Sequence, residues 1–318
     1  MMVWGMSALG LLILLLAGDS LVKGAVNLSL RVGIPALIVS LTIVAFGTSA
    51  PELLIAINAV SENKAGLALG NVVGSNTANI LLVLGVPAIL SGLHTSECDT
   101  RKTYMFMLAA SCLFIGLAFV GTFTFWSGIV LLAVLALVLA DAMRDARNHR
   151  KAACSPLAED EEDIEGVDPD MPWWQIFVFL ILGLVGLPLG ADLLVDNASI
   201  IARHYGVSDS VIGLTLVALG TSLPELATTV MAALRRQADV ALGNVIGSNM
   251  FNLLAIIGIA TLVGPIPVDP EFLEFDLWVM LGASLLLIPF VFMKRDIGKR
   301  WGVALTTCYV VYVTIVLL

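Results

Sequence analysis

Residues 33–90 and 206–263 are two copies of one stretch. At a constant offset of 173 they align without a gap, and 24 of their 58 positions are identical. GTSAPE at 47–52 returns as GTSLPE at 220–225. LALGNVVGSNTANILLVLG at 67–85 returns as VALGNVIGSNMFNLLAIIG at 240–258. Asp19 meets Asp192 at the same offset, in the settings AGDSLV and GADLLV. A chain duplicated in this way folds as two copies of one unit, so the open question is how the copies are oriented.

The environment of both copies follows from composition. Hydrophobic residues make up 59% of the 318-residue chain and charged residues 13%, against about 25% charged in soluble domains. Apolar runs long enough to cross a bilayer recur from end to end, which predicts an all-α polytopic membrane protein. Cutting at charges and turn residues gives ten spans: 2–22, 34–60, 65–91, 103–121, 126–143, 173–196, 208–233, 239–264, 275–293 and 301–318. The fourth and fifth are separated only by GTFTFWSG, where a tight turn is preferred because one helix would be too long to span. The N-terminus lacks the basic region of a signal peptide, and the Asp19/Asp192 correspondence makes it a retained first span.

Alternation of positive charge supports this division and orients it. Fourteen Lys and Arg fall in one set of loops, including Lys23, Arg101, Lys102, Arg144, Arg235 and Arg295, whereas the other set holds only Lys64 and Arg203. Both termini are therefore expected outside and the loop 144–172 in the cytoplasm of a prokaryotic inner membrane. The expected domains are a first five-helix repeat at 1–143, a linker at 144–172 and a second repeat at 173–318. GTSAPE lies in span two and GTSLPE in span seven, an odd number of crossings apart. The repeats therefore run through the membrane in opposite directions, the pattern of secondary transporters with broken helices at a central site.

Most of the net charge of −9 sits in a run of acidic residues from Glu159 to Asp170. That run lacks the glycine-centred spacing of a Ca²⁺ loop and reads as a solvated linker. Cys98, Cys112, Cys154 and Cys308 form no CxxC, which fits single thiols. Asp19, Asp192 and Asp196 near span ends read as interfacial caps or partners of nearby basic residues. No nucleophile–base set or cofactor loop is present, and His94, His149 and His204 fall at loop positions. The chain is therefore not expected to be an enzyme. Nothing in it implies a nucleic-acid or protein partner.

The chemistry is concentrated in the hexapeptides. Glu52 is the only charged residue between Arg31 and Glu62, and Glu225 the only one between Asp209 and Arg235. A carboxylate at the centre of a span costs about 2.5–3.5 kcal/mol on insertion scales. No Lys or Arg lies at that depth to neutralise either one, which leaves a bound proton or a bound metal cation. The neighbours favour a metal. Pro51 and Pro224 lack an N–H and free carbonyls near Gly47–Thr48 and Gly220–Thr221. Freed backbone at this depth is tolerated where it lines a cavity or is buried in protein. Thr48, Ser49, Thr221 and Ser222 add hydroxyls. The next spans offer Asn71, Ser75, Asn76, Asn79, Asn244, Ser248, Asn249 and Asn252, with small-xxx-small pairs Gly70/Gly74 and Gly243/Gly247 for close helix approach. Oxygen donors without His or Cys suit hard cations. Ca²⁺ takes about 6–8 oxygens in flexible geometry, Mg²⁺ dehydrates reluctantly, and Na⁺ can use the same oxygens.

These paired motifs resemble the two α-repeats of the Ca²⁺/cation antiporter superfamily, most of all its prokaryotic sodium/calcium exchanger branch, over essentially the whole chain. The α-1 motif covers 47–79 and the α-2 motif 220–252. The resemblance implies a Ca²⁺ site on Glu52, Glu225, Thr48 and Thr221. It implies Na⁺ sites on Ser49, Ser75, Ser222, Ser248 and the carbonyls of Ala45 and Ala218, with Asn79 and Asn252 at the central positions. It further implies alternating access, with the first and sixth spans sliding as a gating bundle, and electrogenic export of one Ca²⁺ for several Na⁺. Many relatives carry Asp at one central position, whereas this chain has Asn at both. H⁺/Ca²⁺ exchange and K⁺-dependent exchange therefore stay open as alternatives. A passive cation channel is the alternative of another class, disfavoured by inverted halves with two broken helices.

Overall fold

The computed structural model describes residues 2–153, 168, 170–206 and 218–317. Cys154, most of the acidic run at 159–170 and the first half of the predicted span 208–233 lie outside the described residues. The described chain is almost entirely helical: α1 Met2–Val32, α2 Ala36–Thr48, α3 Ala50–Ser61, α4 Ala65–Leu90, α5 Arg101–Ala118, α6 Phe125–Ala153, α7 Trp173–His204, α8 Leu223–Leu234, α9 Ala238–Val263, α10 Phe272–Phe292 and α11 Lys299–Leu317. Among the described residues seven helices are long and apolar enough to cross a membrane, and eight if the bent pair α2–α3 is one span. This is an integral membrane protein. Its outer surface is what a bilayer requires: Leu12, Leu16, Phe46, Leu54, Trp126, Leu137, Ile181 and Leu189 are all exposed.

The division of 103–121 from 126–143 holds, with α5 ending at Ala118 and α6 starting at Phe125. The intervening turn carries a two-residue strand that the sequence did not suggest. Thr122 pairs with Pro267 and Phe123 with Ile266, antiparallel. Leu93 and Ile297 make a similar isolated bridge.

α1 and α7 form the longest interface, and glycine makes it possible. They run antiparallel: Gly10 faces Gly190, Ala17 faces Gly186 and Leu21 faces Gly183. A Cβ added to Gly190 would stand 2.9 Å from Leu14 N and 3.0 Å from Gly10 O. Only a residue without a Cβ permits backbones this close. Both helices overrun their predicted ends at 22 and 196. The charge that marked the first end, Lys23, is paired within the helix to Asp19 at 3.1 Å, and Asp19 also accepts from Arg235 Nε on the far end of α8. A charge satisfied in this way does not terminate a helix.

The core lies under α4 and α9. Gly243 and Gly247 allow α9 to press against α2, where a Cβ on Gly247 would come 2.7 Å from Leu41 O, and Ser40 Oγ donates to Val240 O at 2.6 Å. The segment that corresponds to α2 in the second copy falls largely on 207–217, outside the described residues, so the matching approach of Gly70 and Gly74 is not described.

Gly190→Val should force α1 and α7 apart at a cost of about 1–3 kcal/mol, read as a lowered unfolding midpoint of the detergent-solubilised protein. Gly5→Val, where a Cβ meets nothing within 4 Å, should leave the midpoint unchanged.

Candidate functional site

Local sequence breaks two helices at corresponding points. α2 ends at Thr48 because Pro51 has no N–H to give the carbonyl one turn back. Ser49 leaves the helical basin, at φ −86° and ψ 6°, and α3 restarts with Pro51 in its first turn. The second copy does the same: Ala218–Gly220 is helical, Ser222 has φ −89° and ψ 1°, and α8 starts with Pro224 in its first turn. The α2–α3 axis bends by 43°. Glu52 and Glu225 thus each occupy the first turn of a half-helix, where the positive end of the dipole favours an anion.

Both carboxylates are buried, at 1% exposure each, and they repel one another across the space between the two breaks. Among the described residues no Lys or Arg pairs with either. Hydroxyls surround them instead. Ser49 Oγ donates to Glu225 Oε1 at 3.3 Å. Thr48 Oγ1 lies 3.3 Å from Ala45 O, 3.3 Å from Asn244 Oδ1 and 3.4 Å from Ser248 Oγ. Asn244 Nδ2 donates to Glu225 O at 3.3 Å and Thr229 Oγ1 at 3.1 Å. Thr221 Oγ1 donates to Asn71 Oδ1 at 3.4 Å.

Hydrogen bonds thus bring Thr48, Ala45 and Ser248 together, and Ser49 with Glu225. Ala45, Thr48, Ser49, Glu52, Ser75, Asn79, Thr221, Ser222, Glu225, Ser248 and Asn252 are all buried, and Ala218 lies on the helical turn preceding the second break. Among the described residues, buried side-chain atoms without a hydrogen-bond partner include Glu52 Oε2, Glu225 Oε2, Asn79 Oδ1, Ser222 Oγ and both polar atoms of Asn252. Buried polar groups are normally satisfied, and unpartnered oxygens of this kind have the chemistry to bind a hard cation. No group of three or more His, Cys, Asp or Glu that could hold a metal occurs among the described residues. The donor set is two carboxylates plus neutral oxygens.

Sequence reasoning missed the backbone around the central asparagines. Asn79–Val83 and Phe251–Ile256 are π-helical turns inside α4 and α9, and such wide turns recur at functional sites. No spacing or residue type announced them. Met107 and Met280, whose sulfurs lie 3.8 Å from the Asn249 and Asn76 amides, also carried no readable signal beyond standing 173 residues apart.

Comparison with known proteins places this arrangement. The family model described as "Sodium/calcium exchanger protein" matches residues 2–142 and 175–318. The chain belongs to the sodium/calcium exchanger family. This exchanger is 34% identical to sodium/calcium exchanger MaX1 of Methanosarcina acetivorans, the match covering 96% of each chain. It is 32% identical to inner membrane protein YrbG of Escherichia coli over 95% of this chain and 93% of that one. Its fold resembles the sodium-calcium exchanger NCX_Mj soaked with 10 mM Na⁺ and zero Ca²⁺, with a TM-score of 0.82 and 31% identity over 98% of both chains. Family membership makes it a transporter and not an enzyme.

Two variants test the repulsion directly. In cation-free buffer Glu52→Gln and Glu225→Gln should each raise the unfolding midpoint, because one member of a buried like-charged pair is neutralised. The unmutated exchanger should gain about 2.7 kcal/mol at Ca²⁺ near 100 Kd, and both variants should lose most of that gain.

Proposed function

We propose that this exchanger carries Ca²⁺ out of the cell against several Na⁺ entering, by alternating access to one central site. The observation that carries the reading is the pair Glu52 and Glu225, buried together without a basic partner among the described residues. A divalent cation between them cancels both charges, and so do two Na⁺. Ca²⁺ takes the carboxylates with the oxygens of Thr48 and Thr221. Na⁺ takes Ser49, Ser75, Ser222, Ser248 and the carbonyls of Ala45 and Ala218. Asn79 and Asn252 fill the central positions as neutral ligands. Because the two cations use the same carboxylates, each displaces the other, and displacement coupled to a change of sidedness is exchange. With a site charge of −2 and more than two Na⁺ per Ca²⁺, the cycle moves net charge.

The architecture proposed for this cycle is ten crossings in two inverted halves, 1–143 and 173–318, joined by 144–172. The antiparallel packing of α1 on α7 supports inversion, since these helices hold corresponding positions in the two copies. Loop contacts also sort as the charge alternation requires. Leu93↔Ile297, Asp19–Arg235 and the Asp168 amide on Asn27 join segments assigned to the cytoplasm, and Thr122↔Pro267 joins segments assigned outside. Both termini then lie outside a prokaryotic inner membrane. α1 and α7, the glycine-packed pair, are the elements that slide.

Reconstituted in liposomes loaded with Na⁺, the protein should take up labelled Ca²⁺ when diluted into Na⁺-free medium, and faster with the interior held negative. Glu52→Gln and Glu225→Gln should lower uptake by a factor of at least about 100, the loss of one charged ligand being worth about 3 kcal/mol. Uptake driven instead by a pH or K⁺ gradient would replace Na⁺ as the counter-ion.

A further inference from the structure

The polar contacts around α4 and α9 repeat only in part, although their sequences repeat almost fully. Asn76 Nδ2 donates to Asn249 O and Asn249 Nδ2 to Asn76 O, both at 3.3 Å. This reciprocal pair clamps the two helices where they cross. Thr48 to Asn244 Oδ1 and Thr221 to Asn71 Oδ1 also match, at 3.3 and 3.4 Å. Other contacts exist on one side only, among them the Asn244 Nδ2 bonds to Glu225 O and Thr229 Oγ1, where the corresponding Asn71 Nδ2 lacks a partner among the described residues. Asn79 Nδ2 donates to Asn249 Oδ1 at 3.0 Å, while the corresponding Asn252 Nδ2 and Asn76 Oδ1 both lack a partner among the described residues. Ser49 Oγ donates to Glu225 Oε1, while the corresponding Ser222 Oγ lacks a partner among the described residues, and each glutamate keeps one unpartnered oxygen, Oε2.

The unpartnered atoms are complementary in kind. An amide N–H matches a carbonyl oxygen, and a hydroxyl matches a carboxylate oxygen. Asn252 Nδ2, Asn76 Oδ1 and Ser222 Oγ are each the counterpart, at the offset of 173, of an atom that is bonded. Buried orphans are rare, and orphans that are each other's missing partners mark contacts belonging to a second arrangement.

We propose that Asn76 and Asn249 are positioning residues for the transport cycle. Their backbone bonds fix α4 against α9. Their two side-chain oxygens are engaged alternately, Asn249 Oδ1 by Asn79 in the arrangement described here and Asn76 Oδ1 by Asn252 in the arrangement open to the other side. The inference rests on the alternating-access reading above. Chemically equal residues make the two arrangements nearly equal in energy, which a two-state element needs. Neutral amides make the switch independent of pH. The wide turns at Asn79–Val83 and Phe251–Ile256 follow the clamp directly and give the central asparagines backbone latitude to change partners.

The test compares Asn249→Ala with Asn76→Ala in the full-length protein, purified in detergent without Na⁺ or Ca²⁺. Each variant loses one clamp bond, so that loss cancels between them, and each removes a different switch oxygen. Hydrogen–deuterium exchange is read as the ratio of exchange rates in 50–61 and 223–234. The two variants should move this ratio from the unmutated value in opposite directions, each by roughly fivefold. Asn79→Ala should follow Asn249→Ala, and Asn252→Ala should follow Asn76→Ala, so this second pair carries the test if the clamp variants do not fold. Shifts in the same direction, or no shift, would overturn the switch. Na⁺-driven Ca²⁺ uptake is measured alongside: its absence in unmutated protein defeats the exchange reading, whereas normal uptake with same-direction shifts defeats the switch alone.

Discussion

Two carboxylates that repel one another inside a membrane protein dictate what surrounds them. Glu52 and Glu225 are each 1% exposed, and no basic residue stands at their depth in the sequence. Beside them α9 packs tightly on α2 at Gly243 and Gly247. The remaining means of cancelling the charge is a cation that enters and leaves. Other features serve that need. Prolines break both helices so that each glutamate sits at the positive end of a half-helix, and serine, threonine and asparagine supply oxygens that a hard cation accepts.

Two helix interfaces frame the site, and they are held together in different ways. α1 and α7 approach closely at Gly10, Gly183, Gly186 and Gly190, and Leu14, Leu21, Leu180 and Leu187 are buried along the same contact. α4 and α9 are bonded to each other through the reciprocal asparagines. Asp19 pairs with Lys23 within α1 and with Arg235 at the end of α8, which ties α1 to α8 there. Positions 62 and 196, the counterparts of Arg235 and Lys23, are both acidic, so the second copy does not repeat this pattern of charge.

Much of this was legible beforehand, for physical reasons. Hydrocarbon tolerates so few charges that Glu52 and Glu225 stood out, and the repeat converted each feature of one half into an expectation for the other. Buried Thr48, Ser49, Ser75, Asn79, Ser222, Ser248 and Asn252 were all in the motifs that drew attention. What could not be read was geometry that residue type does not encode. The π-helical turns at Asn79 and Phe251 depend on tertiary packing. The pairing of Thr122 with Pro267 depends on which turns meet. The length of α1 was misjudged because Lys23 looked like an end, when its charge is answered by Asp19 one turn earlier. The asymmetry of the asparagine contacts is a property of conformation, and two near-identical motifs cannot announce it.

The account stands on one claim: Ca²⁺ and Na⁺ compete for the same two carboxylates. Calorimetric titration of the purified protein with Ca²⁺ at stepped Na⁺ concentrations tests it most directly. One Ca²⁺ per chain should bind, with an apparent affinity that falls steeply and to more than first order as Na⁺ rises. Ca²⁺ binding that is indifferent to Na⁺, or that survives in Glu52→Gln and Glu225→Gln, would contradict the claim.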